Sequence, residues 1–283
     1  GEVSLYRWTV ESGAGRVDAL EPMPWFSNSK AATAGWLLSL VQQGVVRLDD
    51  PVSRYLPEVP HGDEITLEQL ARHLSGIPSE ADSPDSEELD VGADVRRWMA
   101  TGELVSHPGS NFHYSRVGYA ILGWALERAS GTSWQAAIGS MADEAGAEVW
   151  TDERGVEGSV PNHHPGEGAY RGALYAAGGI VSSPGGMASF YQWLYTRRLD
   201  SRSWSIVASA SSRPETSHYG LGVNLSCPCT DDGTTMRSER IGHMSPTGWW
   251  EHDPQRDVTI VFRPEILGGS STIAAAWAAV LGP

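Results

Sequence analysis

Apolar residues recur at helical spacing in two stretches of the chain. Residues 117–129 form one amphipathic pattern. The other begins at Ala31 and continues to a plausible terminator at Gly44, with the apolar positions Ala34, Leu37, Leu38, Leu40 and Val41. Such spacing predicts α-helices. The helix that begins at Ala31 carries so few polar residues that we expect it to be largely buried.

Strand patterns are concentrated at the two ends of the chain. Residues 3–10 read as a strand, and a closing helix is predicted over residues 271–281. Further strands are predicted over residues 219–225, 240–244, 249–252 and 258–263. The order predicts an α/β (α+β) fold, with an antiparallel sheet built from both termini, flanked by helices and interrupted by a helical region.

The same order suggests how the chain is organised. We expect a sheet-containing region of residues 1–25 and 170–283 and a mostly helical region of residues 26–169. Since no linker composition separates them, we expect one packed unit with its active site between the two regions.

The net negative charge of the chain disfavours two classes of partner, nucleic acids and membranes. The chain of 283 residues has 35 acidic and 20 basic side chains, a formal charge of −15. Such a charge repels nucleic acid and anionic lipid, and no run approaches the roughly 20 apolar residues of a spanning helix. We expect neither nucleic-acid nor membrane partners. Without a basic start followed by an apolar run, we expect a cytoplasmic chain or one already trimmed of its signal, so the compartment stays open.

The two cysteines, Cys227 and Cys229, flank Pro228. They are too few for a disulfide framework or a complete zinc site. We expect ordinary thiols in a loop, with a local disulfide or a redox role as the alternative.

Lys30 is the single lysine among the 20 basic residues of the chain, and all the others are arginines. An arginine cannot be deprotonated in a protein, whereas a desolvated lysine amine can lose its proton. Ser27 stands three residues before Lys30 at the start of the first predicted helix, so the two side chains project within mutual reach. This spacing permits a serine nucleophile and its base, although an ordinary helix-start serine and an exposed lysine would show the same spacing.

Several ordered segments around this pair resemble one known family, the serine β-lactamase-related proteins. These include class C β-lactamases, D-alanyl-D-alanine carboxypeptidases, and esterases and acyltransferases of the same fold. The similar segments are the nucleophile motif at 26–30, framework stretches at 48–58 and 65–77, the second motif at 108–115, a structural motif at 178–183 and the third motif at 241–243.

The resemblance implies a role for individual residues. Ser27 would be the acyl-accepting nucleophile, Lys30 the proton acceptor and Tyr114 the phenolic acid or base; the alternative for Tyr114 is a core aromatic residue. The implied partners are a small-molecule acyl donor and water or a small nucleophile as acceptor, with no cofactor. The implied activity is a serine hydrolase or acyltransferase acting on a small ester, amide or lactam.

Arg116 departs from the second motif, in which the family usually carries Asn. A cation at this position could bind an anionic substrate group, lower the pKa of Lys30 or Tyr114, or turn outward to solvent. We predict Arg116 as a substrate-binding residue and keep the two alternatives open.

The third motif departs as well, because His243 and Met244 are followed by Ser245 where the family has Gly. The next residue usually donates its backbone N–H to the oxyanion, but here it is Pro246, which has none. A shifted register would make Trp249 the donor. We prefer the first register because it leaves residues 249–252 as a return strand. His243, Ser245 and Trp249 are predicted substrate-binding residues.

No His or carboxylate pair shows convincing ligand spacing, so we predict no metal. Two functions of different classes therefore compete. One is the acyl-enzyme hydrolase or acyltransferase, and the other is a catalytically impaired relative that serves as a binding module. The lone lysine at the motif position favours the first, and Pro246 favours the second.

Overall fold

The computed structural model describes residues 22–78, 91–151, 174–211, 218–230 and 235–262. The strand predicted over residues 3–10 and the helix predicted over residues 271–281 lie outside these ranges.

Seven α-helices lie in the described part of the chain. They are α1 (Ser29–Gln42), α2 (Leu67–Ala71), α3 (Val91–Thr101), α4 (Arg116–Ser130), α5 (Trp134–Ala145), α6 (Pro184–Trp193) and α7 (Ser201–Val207). Three short 3-10 helices cover Phe26–Asn28, Val52–Arg54 and Tyr175–Ala177, and a π-helical turn, Leu194–Arg198, extends α6.

The described strands form two antiparallel sheets. The strands are β1 (Met23–Pro24), β2 (Val149–Thr151), β3 (Ile180–Ser182), β4 (Ser209–Ser211), β5 (Asn224–Thr230), β6 (Thr235–Ser245), β7 (Gly248–Asp253) and β8 (Val258–Phe262). The small sheet has three strands in the order β1-β3-β2. The large sheet has five strands, in which β4, β6, β7 and β8 follow one another and β5 also pairs with β6.

The predicted combination of an antiparallel sheet and flanking helices is confirmed. The five helices α1 to α5 lie between residues 26 and 169, and the large sheet follows residue 170. The exact division into a sheet region and a helical region stays a prediction. One continuous cluster of buried side chains joins the helices to the large sheet, for example through Leu37, Ile121 and Trp250.

Helix α1 runs through the centre of the molecule. Every residue from Ser29 to Leu40 is buried, as expected for a helix with apolar residues on all sides. The π-helical turn approaches it closely, since a Cβ placed on Gly35 would lie 2.7 Å from a methyl carbon of Leu194. Helix α1 is therefore closely packed at Gly35, five residues after Lys30.

Helix α4 has well-defined ends. The Ser115 hydroxyl accepts a hydrogen bond from the Gly118 N–H at 3.0 Å, and Gly131 closes the helix in the left-handed conformation with φ of 71°. A serine cap of this kind needs an extended backbone at its own position. Tyr114, one residue earlier, is therefore placed just outside the first turn of the helix.

Strands β6 and β7 form a tight hairpin. Their pairing runs from Ile241 opposite His252 to Ser245 opposite Gly248, so Pro246 and Thr247 form a two-residue turn. Pairing between β5 and β6 ends at Gly242. β7 pairs with the other edge of β6, and among the described strands none pairs with the β5 side of β6 beyond Gly242.

Two details differ from the sequence predictions. The strand predicted over residues 219–225 begins only at Asn224, because Gly222 has φ of 80° and packs against α1, where a Cβ would lie 2.4 Å from that of Ala34. The cysteines Cys227 and Cys229 lie within β5 and not in a loop.

Candidate active site

Ser27 lies in the 3-10 helix that leads from β1 into α1. The residue before it, Phe26, has φ of 46°, a left-handed backbone that bulky side chains rarely adopt. The Trp25 N–H donates to the carbonyl oxygen of Ile180 at 2.7 Å, which ties this turn to the small sheet. The serine hydroxyl is thus presented on a constrained turn, a feature that often marks functional sites.

Lys30 is completely buried, and its side-chain nitrogen points to Ser27. Its Nζ donates to the Ser27 Oγ at 3.2 Å and to the carbonyl oxygen of Ala177 at 2.8 Å. The 3-10 helix that supplies this carbonyl begins at Tyr175, which also has a positive φ, of 44°. The predicted nucleophile and base are therefore within hydrogen-bonding distance.

Tyr114 lies two residues before the start of α4, and its ring is next to Lys30. The Lys30 Nζ lies 4.9 Å from the centre of the Tyr114 ring, which is partly buried. The structure thus brings together the three residues that the sequence predicts as catalytic.

The His73 ring packs against the ring of Tyr114. The sequence had not indicated a role for His73 in the site. The two ring centres are 4.2 Å apart, and the Ser115 N–H donates to the His73 Nδ1 at 3.1 Å. Burial is the main cause that lowers the pKa of His73 well below its ordinary value, and the charged forms of the nearby Lys30 and His243 would lower it further. The only sequence signal was its position in the framework stretch 65–77. Its neutral ring packs against Tyr114 as part of the site.

His243 lies in the same buried cluster as His73. Its Nδ1 is 2.9 Å from the Met244 carbonyl oxygen, and its Nε2 is 3.0 Å from the Tyr219 hydroxyl. Burial, with a smaller contribution from the charge of Lys30, lowers the pKa of His243 to about 3. The third motif therefore presents a neutral imidazole.

The remaining third-motif residues occupy the β6–β7 hairpin. Ser245 is buried and contacts Asn28, the residue after the nucleophile, with 3.1 Å between the Ser245 Oγ and the Asn28 Nδ2. Trp249 is half-buried and lies opposite Met244, whose side chain is 57% exposed. The return strand Gly248–Asp253 agrees with the register in which Pro246 follows the motif.

Arg116 is directed toward α3. Its guanidinium lies 3.4 Å from a carboxylate oxygen of the buried Asp94. Arg97 contacts the other carboxylate oxygen at 3.1 Å. An anionic substrate group would therefore compete with Asp94 for Arg116.

Among the residues that the structure describes, no three His, Cys, Asp or Glu side chains are grouped so that they could hold a metal ion. Within the same residues, no helix combines the length and the apolar character needed to span a membrane.

Solved structures with the same fold include several hydrolases. A D-stereospecific amidohydrolase from Streptomyces sp. superposes with a TM-score of 0.71 at 21% identity, covering 95% of this chain and 89% of that one. A penicillin-binding protein from Bacillus halodurans gives a TM-score of 0.72 at 19% identity, covering 93% and 86%. A D-amino acid amidase from Ochrobactrum anthropi SV3 gives 0.67 at 18% identity, covering 87% and 79%. At these identities the likeness establishes the fold.

Curated relatives match over a shorter segment. Protein flp of Staphylococcus aureus (strain COL) is 35% identical over 115 residues, which are 38% of this chain and 23% of that protein. The D-alanyl-D-alanine-carboxypeptidase/endopeptidase AmpH of Escherichia coli (strain K12) is 37% identical over 114 residues, which are 37% of this chain and 30% of that protein. The match thus spans less than a third of either relative.

The match to a family extends over nearly the whole sequence. The model of the Beta-lactamase family covers residues 1–277. The sequence motifs, the fold and this match agree, and the chain belongs to the beta-lactamase family.

Proposed function

We propose that this protein is a serine hydrolase or acyltransferase that acts on a small ester, amide or lactam through an acyl-enzyme. The observation that carries the proposal is the 3.2 Å contact between the Ser27 hydroxyl and the completely buried Lys30 amine. Burial disfavours the charged form of an amine, and a neutral amine at this distance can accept the proton of the hydroxyl.

The proposed reaction has two halves. Ser27 attacks the carbonyl carbon while Lys30 takes its proton, and Tyr114 passes a proton to the leaving group. Water or a small nucleophile then attacks the acyl-enzyme, and the protons move in the reverse direction. His243 is not a proton donor in this scheme, because its pKa of about 3 keeps it neutral at physiological pH.

The names of the relatives support hydrolysis of an acyl bond. The structural neighbours are described as an amidohydrolase, an amidase and a penicillin-binding protein, and AmpH is described as a carboxypeptidase/endopeptidase. Three of these names, amidohydrolase, amidase and carboxypeptidase/endopeptidase, describe cleavage of a bond at a carbonyl carbon, and they support that part of the proposal.

A second candidate is a binding protein that retains the fold with impaired catalysis. One observation favours it, since Pro246 lies in the hairpin turn after the third motif and has no N–H to donate to an oxyanion. Loss of one such donor typically costs on the order of 10²–10³ in rate. A loss of that size slows an acyl transfer but still leaves a nucleophile that a reactive probe can label.

Covalent labelling tests whether Ser27 is a nucleophile, and turnover of a 4-nitrophenyl ester by the protein without the probe, which an impaired relative would lack, separates the two candidates. The protein is incubated with a fluorophosphonate and, separately, with a β-lactam, and its intact mass and the modified peptide are measured. We expect one adduct, on Ser27, that disappears in Ser27→Ala and persists in Ser39→Ala, which removes a buried serine hydroxyl from a later turn of α1. An unmodified wild-type protein would instead support the binding module, and an adduct on another serine would remove Ser27 from the mechanism.

A further inference from the structure

Asn28 connects the nucleophile to the β6–β7 hairpin. Its side chain is completely buried, and its Nδ2 donates to the Ser245 Oγ at 3.1 Å and to the Gly248 carbonyl oxygen at 3.2 Å. A backbone carbonyl can only accept a hydrogen bond, so the Gly248 contact fixes which end of the Asn28 amide faces the hairpin.

The connection continues back to the strand that precedes Ser27. The Ser245 Oγ lies 3.1 Å from the Thr247 Oγ1, and the Thr247 hydroxyl donates to the carbonyl oxygen of Pro24. Side chains from the hairpin are therefore bonded to the chain on both sides of the nucleophile. We call Asn28, Ser245 and Thr247 the turn clamp.

Pro246 lies in the same hairpin as Ser245 and Thr247 of the turn clamp. It occupies the turn between Ser245 and Gly248 and cannot donate a backbone hydrogen bond there. Where the family usually has Gly, the chain has Ser245, and a glycine would offer Asn28 no hydroxyl to bind. Ser245, which departs from the third motif, thus supplies the hydroxyl to which Asn28 donates its hydrogen bond.

The bonding of the Asn28 amide is incomplete. Its Oδ1 is buried and has no hydrogen-bond partner among the described residues. A buried acceptor without a partner carries a desolvation cost that an apolar side chain would avoid. The amide nevertheless makes two hydrogen bonds to the hairpin, which is consistent with a role in positioning it.

We infer that the turn clamp consists of positioning residues, which set the distance between Ser27 and the part of β6 after Gly242, where no described strand pairs with the β5 side of β6 and where we expect the acyl carbonyl to bind. This inference rests on the proposed acyl-enzyme function. A displacement of about 1 Å at reacting groups can cost on the order of 10²-fold in rate. Loss of the clamp should accordingly slow acylation more than it weakens ligand binding.

The test measures fluorophosphonate labelling of Ser27 as a function of probe concentration in Asn28→Leu, Ser245→Ala and the double variant. Each single change should lower the maximal labelling rate about 10- to 100-fold, with the half-saturating concentration within about threefold of wild type. The double variant should be no slower than the slower single variant, because both changes release the same clamp. Ser245→Thr keeps the hydroxyl and should recover most of the rate, and Ser39→Ala should label at the wild-type rate.

A readout that does not depend on catalysis accompanies the kinetics. Amide hydrogen exchange of residues 241–252 should be faster in Asn28→Leu than in wild type while the thermal unfolding midpoint stays within a few degrees, since the backbone pairing of β6 with β7 remains. Unchanged exchange would overturn the clamp even if the wild-type protein were never labelled. A slow Ser245→Ala with a fast Asn28→Leu would also overturn it and would make Ser245 a direct substrate contact. Absence of an adduct in wild type would refute only the proposed function.

Discussion

The Tyr219 hydroxyl donates a hydrogen bond to the Nε2 of His243 over 3.0 Å. The direction follows from the other side of the ring, where the Nδ1 faces the Met244 carbonyl oxygen at 2.9 Å and must donate to it. Burial raises the pKa of Tyr219 well above its usual value and lowers that of His243 to about 3. Both groups are therefore neutral near pH 7, and this neutral pair has a measurable consequence for stability.

Stability should fall as the pH is lowered from about 6.5. An unfolded histidine gains a proton near pH 6.5, whereas folded His243 stays neutral down to about pH 3. Between pH 6.5 and pH 3 the unfolded state therefore binds more protons than the folded state. The free energy of unfolding falls by about 1.4 kcal/mol per pH unit for each such histidine as the pH is lowered. His252, with a pKa of about 4, acts in the same direction.

Urea unfolding at pH 7.5, 6.0, 5.0 and 4.5 measures this dependence. His243→Gln should make the slope of unfolding free energy against pH shallower by about one proton between pH 6 and 4.5. His252→Gln is the matched variant away from Lys30 and should make the slope shallower by a similar amount. An unchanged slope in His243→Gln would show that His243 does not stay neutral in the folded protein.

The local features of the fold could be predicted from the sequence. Helix α4, observed over Arg116–Ser130, was predicted over 117–129, because its apolar positions repeat every three or four residues. The contact between Ser27 and Lys30 was expected for the same reason, since a separation of three residues on one helical turn fixes the distance between side chains.

The contacts between distant segments could not be predicted. Asn28 and Ser245 are 217 residues apart, and nothing in either local pattern indicates that their side chains meet. The direction of Arg116 likewise depends on where α3 packs, because Asp94 attracts the guanidinium only once both helices are in place. The start of β5 was misplaced because the close approach of Gly222 to Ala34 is a tertiary contact.

Replacement of Lys30 by arginine tests whether it acts as a base. The introduced guanidinium would retain the positive charge but could not accept the Ser27 proton, so Lys30→Arg should lower the labelling rate by roughly 10²- to 10⁴-fold. Lys30→Ala opens space for an added small amine, and methylamine should restore part of the rate whereas guanidinium should not. Near-normal labelling of Lys30→Arg would show that the lysine contributes only its charge.

Removal of the Tyr114 hydroxyl tests proton transfer to the leaving group. Tyr114→Phe keeps the ring packed on His73 at 4.2 Å between centres, so the fold should survive. Hydrolysis of an anilide, whose leaving group needs a proton, should slow by roughly 10²- to 10⁴-fold, while a 4-nitrophenyl ester should be affected much less. Tyr195→Phe, which alters a buried tyrosine that packs against Trp250, is the matched control. Equal effects on both substrates would remove Tyr114 from this step.

Arg116 is predicted to favour anionic acyl donors, and its contact with Asp94 sets the size of the effect. A charge-assisted hydrogen bond contributes about 1.5–3 kcal/mol, and competition from Asp94 places the expected preference near the lower end, about tenfold. Arg116→Asn should therefore lower kcat/KM for 4-nitrophenyl hemisuccinate about tenfold relative to neutral 4-nitrophenyl butyrate.

The ion pair supplies the complementary variant. Asp94→Asn removes the competing carboxylate 3.4 Å from the Arg116 guanidinium, so the preference for the hemisuccinate should rise above that of wild type. Labelling of Ser27 by a neutral fluorophosphonate should stay within a few fold in both variants, because that reaction involves no anionic group on the probe. If Arg116→Asn instead lowers kcat/KM equally for both esters, and Asp94→Asn does the same, Arg116 acts through the packing of α3 on α4 and does not contact the substrate.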